Sequence, residues 1–162
     1  MPKITPCLWF DGQAKEAAEF YTSVFPNSKI TDIQYANKAI SEVGGTPGDV
    51  LVVLFDLDGQ SYMGLNGGPQ FTFTEAISLS IDVGGQDEVD DMTAKLTAGG
   101  GEEGPCGWVK DKFGLSWQVV PQRLNDLTND PDPERAERAT AAMLKMKKID
   151  IQAIEDAADG KA

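Results

Sequence analysis

Histidine does not occur among the 162 residues. Its absence removes Ser-His-Asp and Cys-His catalysis. It also removes every histidine-bearing zinc site and the iron site built from two histidines and a carboxylate. General acid–base work falls to Asp, Glu, Lys, Tyr or Cys. Cysteine is scarce: Cys7 and Cys106 lie far apart and form no CxxC pair, which predicts free thiols. Positive charge is in short supply too, with 14 basic against 26 acidic residues and a formal net charge of −12. Nucleic-acid affinity comes mainly from cation–phosphate contacts, so nucleic acid and anionic membrane are excluded as partners, and the acidity reads as solubility. No apolar run approaches the roughly 18 residues of a membrane-spanning helix. The opening Met1-Pro2-Lys3-Ile4-Thr5-Pro6 lacks the apolar stretch of a secretory signal, so a cytoplasmic protein is expected. Neither GxGxxG between a strand and a helix nor GxxxxGK[ST] occurs, and no cofactor is expected.

What remains is an ordinary globular balance, 41% apolar and 25% charged, in a chain long enough to remove about 70% of its unfolded surface from water. Residues 3–10 read as a strand in which Ile4, Leu8 and Phe10 alternate with Thr5, Cys7 and Trp9, with Pro6 breaking the pattern. Ala14, Ala17, Ala18, Tyr21, Val24 and Phe25 form the stripe of an amphipathic helix, stopped at Pro26-Asn27. Strands follow at 28–35 and 49–57, separated by a glycine-rich loop at 37–48. Asp58-Gly59 signals a hairpin into a strand at 60–65. The pattern then restarts: a strand at 76–83, a helix at 86–98 and a hairpin of 108–110 with 115–120. The halves agree in letters as well, Gly59-Gln60-Ser61-Tyr62 against Gly114-Leu115-Ser116-Trp117. The expectation is an α+β fold of two βαβββ modules, 1–69 and 70–121, forming a concave mixed sheet with a cleft suited to a small molecule. A helical extension, 122–162, follows, with a helix at 134–148 whose last turn carries Lys145, Lys147 and Lys148, and a short helix capped by Asp150.

Three stretches carry a family resemblance. Leu8-Trp9-Phe10-Asp11-Gly12-Gln13-Ala14 through Phe20-Tyr21-Thr22-Ser23-Val24-Phe25 resembles the opening of PhnB-like proteins. The stretch from Gly107 through Pro121 and the tail from Met143 to Ile151 are similar to theirs as well. That family is often labelled 3-demethylubiquinone-9 3-methyltransferase, within the vicinal oxygen chelate superfamily of glyoxalase I, bleomycin-resistance proteins and extradiol dioxygenases. The resemblance implies paired βαβββ modules and a homodimer. It also implies four metal-ligand positions, which fall here on Thr5, Met63, Ala76 and Gln118. None of the four is charged, so no metal is expected.

Strand alternation places Thr5, Cys7 and Trp9 on one face, and Ala76 and Ser78 on the equivalent face of the second half. Ser116 and Gln118 likewise share a face opposite Trp117. The expected ligand lining is Thr5, Cys7, Trp9, Met63, Ser78 and Gln118, joined by Trp108 and Asn66. Cys7 reads as a small buried hydrophobe more than as a nucleophile, because no histidine activates it. Trp9 and Trp108 are either stacking surfaces or core. Lys110-Asp111-Lys112 reads as a solvated hairpin tip. Three functions stay open: a metal-free small-molecule-binding protein, an enzyme of the same fold acting on a quinone or aromatic molecule through Cys7, Tyr62, Glu75 or a base carried by the ligand, and a structural or regulatory dimer without ligand.

Overall fold

Alternation along the first strand, β1 (Cys7–Phe10), buries Leu8 and Phe10 and leaves Cys7 and Trp9 on the other face. In the computed structural model, which describes residues 1–161, the chain forms two units, Met1–Phe73 and Thr74 onward. In the first, β1 is followed by α1 (Ala14–Val24), β2 (Lys29–Tyr35), β3 (Val50–Leu57) and β4 (Gln60–Asn66). The sheet order is β1-β4-β3-β2, with β1 parallel to β4 and the other pairs antiparallel. Asp58 and Gly59 both take positive φ, 46° and 81°, the turn whose twist suits a two-residue hairpin. The apolar stripe of α1 lies on the sheet, with Ala14, Ala17, Ala18 and Tyr21 fully buried beside Val53 and Phe55. Each large side chain so buried contributes about 1.5–3 kcal/mol. Gly64 on β4 permits this approach, since a Cβ there would stand 3.2 Å from the Ala14 Cβ.

The second unit repeats the plan with β5 (Ser78–Val83), α2 (Gln86–Thr97), β6 (Glu102–Glu103), β7 (Trp108–Lys110) and β8 (Ser116–Pro121), ordered β5-β8-β7-β6. Again the first strand is parallel to the last. Val89 and Leu96 of α2 are buried, as are Trp117 and Val119 of β8. Three helices follow: α3 (Gln122–Thr128), α4 (Pro133–Met143) and α5 (Ile151–Ala158). Arg138 of α4 donates to the Ala157 and Ala158 carbonyls, satisfying the open end of α5. Among the described residues no helix is long and apolar enough to cross a membrane.

Several expectations are corrected. The strands expected at 3–10 and 76–83 begin later, β1 at Cys7 and β5 at Ser78, and Ile4 and Ile77 ahead of them are 89% and 61% exposed. Pro6, with no N–H to give, marks the boundary in β1. The helix at 134–148 ends at Met143, and Lys145, Lys147 and Lys148 lie beyond it. The Met146 and Lys147 carbonyls accept from the Cys106 and Gly107 N–H groups instead of continuing a helix. The loop at 37–48 contains a 3-10 turn, Lys38–Val43, capped by Asn37. Asp111 is not a solvated tip residue: it is 3% exposed and accepts from the N–H groups of Phe113 and Leu115 and from Trp117 Nε1.

Candidate functional site

Each sheet has one face under helices and one open face. In the second unit, burial of Trp117 and Val119 under α2 turns Ser116 and Gln118 to the open side. Register then adds neighbours: Trp108 and Lys110 of β7 lie opposite Gln118 and Ser116, and Ser78 and Ser80 of β5 opposite Ser116 and Gln118. Gln118 Nε2 donates to Ser78 Oγ at 2.9 Å. A hollow of about 340 Å³ opens at this face, with Ser116, Trp108, Cys106, Lys110, Glu75 and Glu102 in its lining. Lys110 Nζ stands 2.5 Å from Glu75 Oε1 and 3.6 Å from Glu102 Oε1. The ammonium holds the Glu75 carboxyl below its ordinary range, and Glu75, then Glu102, raise the Lys110 ammonium above its own. The rim therefore carries two carboxylates and one ammonium beside an indole, a setting for an apolar body with an uncharged or cationic group.

In the first unit Cys7 pairs with Met63 in register, and Trp9 with Leu65, on the open face. Cys7 is exposed, which overturns its reading as a buried hydrophobe: it lies on the open face of the sheet, opposite the buried Leu8 and Phe10 of the same strand. Partial desolvation still pushes its thiol above the ordinary 9.0, so little thiolate forms at neutral pH. Trp9 is spent on structure: Nε1 donates to the Gly68 carbonyl at 2.8 Å, and its ring meets Phe71 edge-on at 4.9 Å. A Cβ at Gly67 would fall 2.3 Å from that ring. Asn66 belongs to the opposite face, since Met63 and Leu65 occupy the open one. Its Oδ1 accepts from Ala14 N at 2.9 Å and its Nδ2 donates to Val50 O at 3.0 Å, so it caps α1, where Gln13 makes no side-chain cap. Thr5 is half-buried ahead of β1. A larger hollow of about 750 Å³ lies between the start of α1, residues 36–51 and residues 65–70. Of the expected lining it takes only Asn66.

The structure thus assembles Ser78, Trp108 and Gln118 on one sheet face, and Cys7, Trp9 and Met63 on another. Lys110, Glu102 and Cys106 join the first set, and sequence reasoning missed them. The signal for Lys110 was its spacing of two from Trp108 along one strand. Tyr62 stacks on Phe55 at 5.6 Å, and burial raises its phenol. As an immediate neighbour of Met63 in β4 it lies on the face away from Cys7.

The superfamily implies a divalent cation, and the donor set does not fit one. Thr5, Met63, Ala76 and Gln118 supply a hydroxyl, a thioether, a methyl and an amide, where hard cations and zinc need carboxylate, imidazole or thiolate. Among the described residues no group of three or more His, Cys, Asp or Glu could hold a metal ion.

The family described as 3-demethylubiquinone-9 3-methyltransferase matches residues 2–120. A PhnB protein from Bacillus cereus is 34% identical, with a TM-score of 0.62 over 74% of this chain and 99% of that one. The protein PA1353 from Pseudomonas aeruginosa is 18% identical, with a TM-score of 0.58 over 75% and 98%. The fosfomycin resistance protein FosX from Listeria monocytogenes, solved with Mn(II) and sulfate, is 13% identical, with a TM-score of 0.51 over 74% and 89%. The last two show the fold alone. No curated protein matches the chain. With the repeated βαβββ topology and the match over residues 2–120, the chain belongs to the 3-demethylubiquinone-9 3-methyltransferase family, the PhnB-like members of the glyoxalase/bleomycin-resistance fold.

Proposed function

We propose that this protein binds a small molecule without metal, and that the open face of β7 and β8 is its site. The observation that carries the reading is the hollow against Trp108, Lys110 and Ser116 on that face. Trp108 offers an apolar plane and Ser116 a hydroxyl in the lining of the hollow, while Ser78 and Gln118, bonded to each other, lie beside it on the same face. The rim of Glu75, Lys110 and Glu102 has an excess of one negative charge. The ligand class that fits is flat, partly apolar, and uncharged or cationic. A strongly anionic ligand would lose hydration beside two carboxylates.

The enzymatic reading has less support. Tyr62 and Cys7 fall on opposite faces of one sheet, and the Glu75 carboxylate is already engaged by Lys110. Methyl transfer, the reaction in the family's description, draws on S-adenosylmethionine, usually held by a glycine-rich loop after the first strand of a larger parallel sheet. Here β1 passes to α1 through Asp11-Gly12-Gln13, a turn that does not fit that role, and we assign no donor site.

The test is a thermal-shift screen of neutral and cationic aromatic compounds, followed by titration of the hits against Trp108→Ala and Gln118→Ala. Both variants are expected to weaken binding about tenfold or more while remaining folded. Wild-type affinity in both would place the site elsewhere. Native mass spectrometry of the purified protein tests the rest of the proposal: a homodimer mass and no stoichiometric metal are expected.

A further inference from the structure

The family match ends at residue 120, and the Bacillus cereus PhnB protein is covered almost whole by 74% of this chain. The helices after β8 thus lie beyond the residues matched by the family. Their connecting segment nevertheless returns to the wall of the hollow. Cys106 N–H donates to the Met146 carbonyl at 2.9 Å, and Gly107 N–H to the Lys147 carbonyl at 2.7 Å. Ile149 is fully buried, and a Cβ on Gly107 would come within 2.9 Å of its Cγ1. The segment is in turn held on α2. Gln86 Nε2 donates to the Ile149 carbonyl at 2.9 Å, Ile151 N–H donates to Gln86 Oε1 at 2.9 Å, and Lys148 Nζ lies 2.9 Å from Asp90 Oδ1.

The loop held in this way is not in a relaxed conformation. Cys106 takes φ 58° and ψ 34°, the left-handed region, with a full side chain. A non-glycine residue stays there only where its surroundings over-determine it. The two N–H bonds to residues 146 and 147 fall on Cys106 and its neighbour. Gly104, Pro105 and Cys106 line the hollow, and Gly104 N–H bonds to the carbonyl of Trp108, the indole proposed as its apolar plane.

We propose that the C-terminal extension is part of the ligand site. Residues 146–149 hold the wall at 104–107 in its binding shape, with Gln86 and Ile149 as positioning residues. The inference rests on reading the hollow as the ligand site. Its consequence is quantitative: if release leaves the wall in place for one tenth of molecules, apparent affinity falls tenfold. By reciprocity, ligand bound in the hollow strengthens docking of the extension by the same factor.

The experiment uses the full chain carrying Cys7→Ser, so that Cys106 is the one thiol. The reaction rate of Cys106 with a neutral aromatic disulfide is measured in this background and with Gln86→Ala or Ile149→Ala added. Val83→Ala, in β5, serves as a control for general destabilisation, compared at equal urea-midpoint loss. Binding of the uncharged dye N-phenyl-1-naphthylamine is titrated in each, and against Trp108→Ala. The expected result is a Cys106 rate at least tenfold above the control, with dye affinity about tenfold weaker in both positioning variants. Cys106 rates that follow the urea midpoint as the control does would overturn the proposal. A faster Cys106 together with dye binding that Trp108→Ala leaves untouched would overturn the reading of the hollow, and with it the place of the extension in a ligand site.

Discussion

Replacing Asp111 with alanine should unfold the second unit far more readily than a change in a charged hairpin turn normally does. The carboxylate gathers three donors: Phe113 N–H at 2.9 Å and Leu115 N–H at 3.1 Å on Oδ1, and Trp117 Nε1–H at 2.9 Å on Oδ2. Trp117 is 2% exposed, so its N–H would stay buried without this acceptor, costing about 1–3 kcal/mol. The two backbone N–H groups belong to a turn that relaxes toward water, and cost about 0.5–1 kcal/mol each. The sum is roughly 2–5 kcal/mol, a large part of the roughly 5–15 kcal/mol that keeps a typical domain folded. Urea unfolding followed by tryptophan fluorescence should show the midpoint lowered by about 1–2 M at a slope of roughly 2–3 kcal/mol per M. Asp111→Asn preserves shape but sets an amide donor against a donor, so it should recover only part of the loss. Trp117→Phe removes the stranded donor, so the cost of Asp111→Ala in that background should shrink by about 1–2 kcal/mol. A midpoint change under about 0.2 M for Asp111→Ala, or additivity of the two substitutions, would refute the reasoning.

Three further outcomes are expected. Gly107→Ala forces a side chain into φ 81° with its Cβ 2.9 Å from Ile149 and 3.0 Å from the Val119 carbonyl, so calorimetry should register a loss of about 2–4 kcal/mol. Asn66→Ala removes the cap of α1 and the bond to Val50, and should cost about 1–2.5 kcal/mol, with amide exchange in the first turn of α1 rising first. Lys110 holds the Glu75 carboxyl below 4.5, so the pair's contribution is complete above about pH 4.5 and disappears as pH falls through the lower folded value. The Lys110 ammonium, raised above 10.5, loses its share only as pH climbs past that point, and NMR titration of Lys110→Met should return the Glu75 carboxyl upward. Both groups meet solvent, so salt should weaken the effect.

The repeated module was legible because its signals are periodic. The stripe of α1, the Asp58-Gly59 turn and the alternation around Trp117 each follow from one element's geometry. Alternation also sufficed to place Ser116 and Gln118 on one face. The same rule, carried one residue further, assigns Asn66 to the helix side with Gly64, and its role as a cap follows from that position. The losses came where a residue's fate depends on a partner distant in sequence. Asp111 between two lysines has the composition of a wet turn, and only the return of Trp117 beneath it makes it a buried acceptor. The stop of α4 at Met143 is of the same kind: the Lys145 and Met146 N–H groups bond to the Ala142 and Met143 carbonyls in tighter turns, and the Met146 and Lys147 carbonyls then turn to Cys106 and Gly107. Residue type favours burial for cysteine, whereas the place of Cys7 on the open face of the sheet, opposite Leu8 and Phe10, decides its exposure here.

The parallel pairing of first with last strand, β1 with β4 and β5 with β8, bears on how the chain acquires its structure. Hairpins and helices form from neighbours in sequence within about 0.1–10 microseconds. Neither module can join its outer strand until its final strand exists, because the partner is the whole length of the module away. The closing step is therefore a long-range encounter whose entropy cost falls due before its contacts are made. During synthesis, β1 must wait for residues 63–66 and β5 for residues 116–121. Through that interval Leu8 and Phe10 on β1, and Val83 on β5, have no finished sheet beside them. The vulnerable moment of this fold is thus the wait of each opening strand for its last one.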